Sequence, residues 1–178
     1  MGTGMIPLGG EVQAIAAWLS DTWLHRFAAE SQWVWAVMET LHFLGLGLLV
    51  GTIGVLDLRL LGLARRLPLS PLQHLVPWGV AAFVLNLVTG IVFFVGAPYQ
   101  YIYNLAFQWK VIFMLTAGLN ILVFYTSLAH RTWAVPAGEH APLGARIIGG
   151  VSLFCWVAVM YWGRMLTFYR PPFVVPPT

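Results

Sequence analysis

Glu39 and His42 stand three residues apart, so on a helix both side chains leave the same face, and Met38 lies one turn before His42. Imidazole with thioether is a donor set suited to Cu(I) or to a His/Met haem. His42 with Met38 is therefore a candidate ligand pair for haem b or copper, and Met114, Met160, Met165 and Cys155 are further soft donors on later segments. A di-histidine haem needs a second histidine at similar depth. His74 and His130 fall at the far ends of their segments, where they could meet each other, and His25 and His140 lie in interfacial or loop sequence. The commoner fate of such a histidine is a hydrogen bond to Glu39 or to a neighbouring helix.

Three charged residues form a second candidate group. Glu39 is six residues inside Trp33 and Arg164 five inside Tyr169, which places both roughly 7–9 Å below one membrane face at about 1.5 Å per residue. An isolated charge at the bilayer centre costs about 2.5–3.5 kcal/mol on insertion scales. A structural ion pair between Glu39 and Arg164 is the expectation, with Lys110, the only lysine, as third member. Asn86 and Asn120 fall near the middle of their spans, where an unsatisfied amide is costly, and a mutual hydrogen bond is expected. Asp57 and Arg59, two apart, do not face each other, so Asp57 is expected to cap or pair with the start of the next span near Gln73 and His74. No serine–histidine–acid set, phosphate loop, HExxH or paired-carboxylate constellation occurs, and nothing specifies an enzyme.

The elements that carry these residues are membrane elements. Of 178 residues 60% are hydrophobic and 8% charged, against about 45–50% and about 25% in soluble domains. Mean hydropathy is +0.81, and a soluble globular fold is excluded. One cysteine excludes an internal disulfide framework. Nine basic residues, eight of them Arg, are spread along the chain without a run that could follow a phosphate backbone, so nucleic acid is not an expected partner.

The expected fold is all-α: an integral membrane four-helix bundle with an N-terminal interfacial amphipathic helix. Residues 1–32 form a tail, with no signal-peptide pattern, and then the interfacial helix, whose apolar residues Val12, Ile15, Leu19, Trp23 and Phe27 recur at helical spacing. Residues 33–169 hold spans expected at 33–61, 75–97, 111–129 and 147–169, and residues 170–178 are a proline-rich extended tail. Short loops predict antiparallel neighbours. Small residues at Gly47, Gly51, Ala82, Gly90, Gly149 and Gly150 are expected at helix contacts. Arg59, Arg65, Arg66, Arg131 and Arg146 lie in the 58–74 and 130–146 segments, so the positive-inside rule places these in the cytoplasm and both termini outside, in a bacterial inner membrane.

The run ETLHFLG from Glu39 to Gly45, LDLRLLG from Leu56 to Gly62, the Asn86 and Gly90 pair, FQWK from Phe107 to Lys110, and Gly163-Arg164 resemble, in order and spacing, a family of small four-span bacterial membrane proteins. No activity carries over from that family. It is similar in turn to copper-resistance D-type membrane domains and to four-helix b-type cytochromes, a likeness that implies a metal or haem role for His42.

The proline-rich tail, with apolar Phe173, Val174 and Val175, is suited to lie along a partner surface. The leading expectation is a structural or accessory subunit that scaffolds a larger membrane complex, such as a respiratory or photosynthetic electron-transfer assembly. Its partners would be other integral membrane subunits and the lipid bilayer, and no cofactor of its own is expected. The alternative is a small redox or metal-binding membrane protein with haem b or copper at His42. A third reading is a pocket for quinone, lipid or pigment lined by Trp35, Phe43, Phe113, Trp156 and Trp162.

Overall fold

The computed structural model describes residues 10–169. The expected interfacial helix is two helices, α1 (Gly10–Ser20) and α2 (Trp23–Glu30). The break falls at Thr22, whose hydroxyl accepts from the His25 amide and starts the second helix. His25 in turn holds α2 onto the rest of the protein through a 2.8 Å bond from its ring to the Val95 carbonyl. Trp18 and Trp23 are exposed, as interfacial tryptophans are.

Four helical segments are long and apolar enough to cross a membrane: Gln32–Leu61, Leu69–Gly96, Leu105–Trp133 and Leu143–Met165. The first is α3 (Gln32–Leu61), capped by Ser31 and closed by Gly62, whose φ of +97° only glycine adopts freely. The second contains α4 (Leu69–Leu72), a 3₁₀ turn and α5 (Val76–Gly96). At the end of the bundle that carries α1 and α2, termed the outer end after the expected orientation, a short helix α6 (Pro98–Ile102) leads to α7 (Leu105–Val123). The third segment then passes through a π turn at Phe124–Leu128 into α8 (Ala129–Trp133). The fourth is α9 (Leu143–Met165).

Successive spans are antiparallel. His42 near the start of α3 meets Thr89 near the end of α5, and Asn104 at the start of α7 reaches Leu166 just past α9. The lateral order is α5, α3, α9, α7: α3 packs on α5, α9 on α7, and one seam between α3 and α9 joins the two hairpins. At that seam Gly149 is indispensable for close approach, since a Cβ there would lie 2.9 Å from the Leu60 Cβ and 3.2 Å from the Asp57 carbonyl oxygen. The α3–α5 contact instead uses Gly45 and Gly79, where an added Cβ would meet Asn86 at 2.6 Å and Ile53 at 2.5 Å. Of the expected contact residues, Ala82 and Gly149 are buried, and a Cβ on Gly150 would touch Leu61, but Gly47, Gly51 and Gly90 face open space.

Spans two and three are sequential but do not pack along their length. The helices α5 and α7 converge at the outer end through Phe94, Tyr101 and Phe107, with ring centroids 5.3–6.3 Å apart, and leave a cleft toward the inner end. The best-buried cluster, including Leu56, Leu60, Leu69, Phe124 and Ala145, lies at the inner end.

Candidate functional site

Two polar regions lie within the spans. The outer one holds His42, half-buried, with its ring 5.6 Å from that of Phe93. The buried Thr89 hydroxyl lies 2.8 Å from the Leu85 carbonyl and donates to it. A hydroxyl has one proton to give. His42 Nδ1, 2.7 Å from the same oxygen, must then be the donor, and its Nε2 keeps a free lone pair. A histidine fixed through Nδ1 with Nε2 open is oriented as a metal or haem ligand would be. Met38 is half-buried one turn earlier. Among the described residues no three His, Cys, Asp or Glu side chains gather where they could hold a metal ion.

The expected ion pair is not formed. Among the described residues no link of 4.0 Å or less joins Glu39, Lys110 and Arg164. Arg164, next to the last residue of α9, is exposed and lies over the Phe168 ring, 5.9 Å from its centroid. Glu39 is exposed on α3, and Lys110 is half-buried beside Gly163 of α9. A long side chain this close to a helix end can extend to a membrane interface without a carboxylate partner. Glu39 does influence Tyr101 on α6: burial first, then this carboxylate, holds the Tyr101 hydroxyl above its ordinary range.

The Asn86–Asn120 bond is also absent, because the helices that carry them are not neighbours. Asn86 donates to the Ala82 carbonyl of its own helix at 2.9 Å, and Asn120 crosses to the Ile148 carbonyl of α9 at 3.0 Å.

The inner region is one that spacing alone did not reveal. Asp57 is 3% exposed and turns toward Ser152 of α9, not toward Gln73 or His74. Its Oδ2 has no hydrogen-bond partner. Arg59, fully buried, donates from Nε to the Leu67 carbonyl at 2.5 Å and from Nη2 to the Pro136 and Glu139 carbonyls, each at 3.3 Å. It thereby fastens both inner loops to the end of α3, and a 2.7 Å bond from the Gly138 amide to the Arg65 carbonyl joins them directly. His74 and His130 are exposed at this end, while His140 accepts from Arg65.

Asp57 borders the cleft between α5 and α7, a space of about 180 Å³. Its walls are mostly apolar, and its polar side chains are Asp57 from α3, Asn120 from α7, Ser152 from α9 and Tyr125 from the π turn. Of the five aromatics expected around a common pocket, only Trp156 lines this cleft, stacked edge-on with Phe83. Trp35 instead packs on Phe93, Phe113 and Trp162 on Trp109, and Phe43 is exposed.

No protein-family model, curated protein or solved structure matches the chain.

Proposed function

We propose that the protein is a non-catalytic accessory subunit that scaffolds a larger complex in a bacterial cytoplasmic membrane, of the respiratory or photosynthetic electron-transfer kind, with both termini on the outer side. The observation that carries this reading is the free face of α3. Thr40, Leu44, Gly47, Gly51 and Val55 recur at helical spacing and are all exposed, and nothing lies within 4 Å of a Cβ built on either glycine. Glycines four apart let a second helix approach closely where lipid supplies no hydrophobic drive. Glu39, next to Thr40 at the end of this face, is exposed as well, a charge that a neighbouring subunit can satisfy. The proline-rich tail at 170–178, expected along a partner surface, lies outside the described residues.

The test is purification from the native membrane in mild detergent, comparing the natural chain with Gly47→Leu/Gly51→Leu. Stoichiometric partner polypeptides, lost in the variant while the helical fold is kept, are the expected result. A lone monomer from native membrane refutes the reading, and a dimer of this chain replaces a foreign partner with a second copy.

The free Nε2 of His42 favours one other reading, a haem b or copper site with Met38 as second donor. A Soret band or bound copper in the pure protein, lost in His42→Ala, would establish it, and colourless metal-free protein from native membrane would refute it.

A further inference from the structure

We infer that the cleft between α5 and α7 is a binding site for an uncharged, lipid-soluble amphiphile whose polar end donates a hydrogen bond from a hydroxyl group.

The first ground is the cleft's polar inventory. Asn120 gives one of its two amide protons to the Ile148 carbonyl, which leaves Oδ1 as an acceptor beside the second N–H. Asp57 borders the cleft, and its enclosed Oδ2 has no partner, so a ligand donor reaches it once the carboxyl group turns toward the cleft. A buried acceptor without a hydrogen bond costs free energy that a matching donor recovers. The acceptors on Asp57 and Asn120, beside the Ser152 and Tyr125 hydroxyls in a mostly apolar wall, match a ligand group that donates a hydrogen bond and can also accept one. A hydroxyl group is such a donor, and no basic side chain lines the cleft to hold an anionic headgroup.

The second ground is shape and access. The cleft runs from Phe83, Met114 and Trp156 toward Phe124 and Asp57. Its rim is formed by Val80 of α5 and by Ile121 and Tyr125 of the third span, all exposed, so it opens sideways between two helices that do not pack there. A molecule dissolved in the bilayer can enter without crossing water. At about 180 Å³ the space takes the head and first carbons of a larger molecule. A longer tail would remain in lipid. Asp57 is four residues from the end of α3, roughly 6 Å along the axis, which sets the polar end near one face of the membrane.

Isoprenoid hydroquinones and neutral hydroxylated lipids such as diacylglycerols share this chemistry. The experiment uses tetramethylhydroquinone and dioctanoylglycerol as probes, titrated calorimetrically into the purified full chain in detergent. Gly118→Leu is the plug: the residue lines the cleft, and nothing lies within 4 Å of a Cβ built there, so the fold has room for the side chain. Asp57→Leu removes one acceptor.

Saturable binding of either probe, abolished by Gly118→Leu and weakened about tenfold by Asp57→Leu, is the expected result. Hydroquinone binding assigns the site to that source, and dioctanoylglycerol binding to the lipid source. Saturable binding of neither probe overturns the inference, as does binding of both unchanged by the plug. The dimethyl ether of the hydroquinone, which keeps the shape and has no hydroxyl proton, separates the chemistry from the space. Equal binding of ether and hydroquinone overturns the hydrogen-bond assignment even if a variant fails to fold.

Discussion

Gly149→Ala is expected to damage the protein out of proportion to the single carbon it adds. The new Cβ would sit 2.9 Å from the Leu60 Cβ and 3.2 Å from the Asp57 carbonyl oxygen, against an ordinary contact that starts near 3.4 Å. Neither atom is the tip of a flexible side chain, so α3 and α9 must separate by about 0.5 Å at the seam that joins the two hairpins. Overpacking of this kind costs about 1–3 kcal/mol. Gly47→Ala on the same α3 is the control, because its Cβ meets nothing within 4 Å and alanine is the better helix former. The assay is reversible unfolding in mixed micelles with increasing dodecyl sulfate, followed by far-ultraviolet circular dichroism. Gly149→Ala should lose about 1–3 kcal/mol and Gly47→Ala should lose none. Leu60→Ala should give no relief in the double variant, since the clash is with Cβ and backbone. Equal stability of the two single variants would refute the close-approach argument.

Thr89→Val keeps the shape of the residue and removes the acceptor of His42 Nδ1. A loss of about 0.5–1.5 kcal/mol is expected in the same unfolding assay, with a change in the His42 ring nitrogen shifts by NMR. Asn86→Leu and Asn120→Leu should have effects that add within about 0.3–0.5 kcal/mol, because the two amides bond to separate carbonyls; a larger coupling would show that they do share a bond. Tyr101 keeps its proton in the folded chain at pH values where an unfolded tyrosine has lost it. Its contribution to stability is therefore constant below about pH 10 and declines as pH rises beyond that. In an absorbance titration Glu39→Gln should lower the Tyr101 midpoint.

Four spans were legible because an uninterrupted apolar run of this length has few other solutions. Their lateral order was not. In lipid both the outside and the inside of a bundle are apolar, so α5 shows no amphipathic pattern to say which face meets α3 and which meets lipid. The same degeneracy hid which glycines matter. On α3, Gly45 makes a close contact while Gly47, two positions on and indistinguishable by type, stands free. Polar residues were easier to find than to pair. Spacing correctly kept Asp57 from Arg59, but the groups that face them, Ser152 and the carbonyls of Pro136 and Glu139, lie about 75 or more residues away along the chain. His42 was picked out by its depth, and its anchor Thr89 carried no signal beyond being a small hydroxyl in a span.

The helix order has a consequence for synthesis. As the chain leaves the ribosome, α5 can fold back on α3 at once, and that hairpin is complete before α7 exists. The third span then enters the bilayer beside a segment it meets only near its ends, carrying Lys110 and Asn120 with neither Gly163 nor Ile148 yet made. Among the described spans α9, the last, is the one that packs along both α3 and α7. A transcript cut after the third span would thus yield one finished hairpin and one helix held only at its ends, the kind of product that membrane quality-control proteases remove.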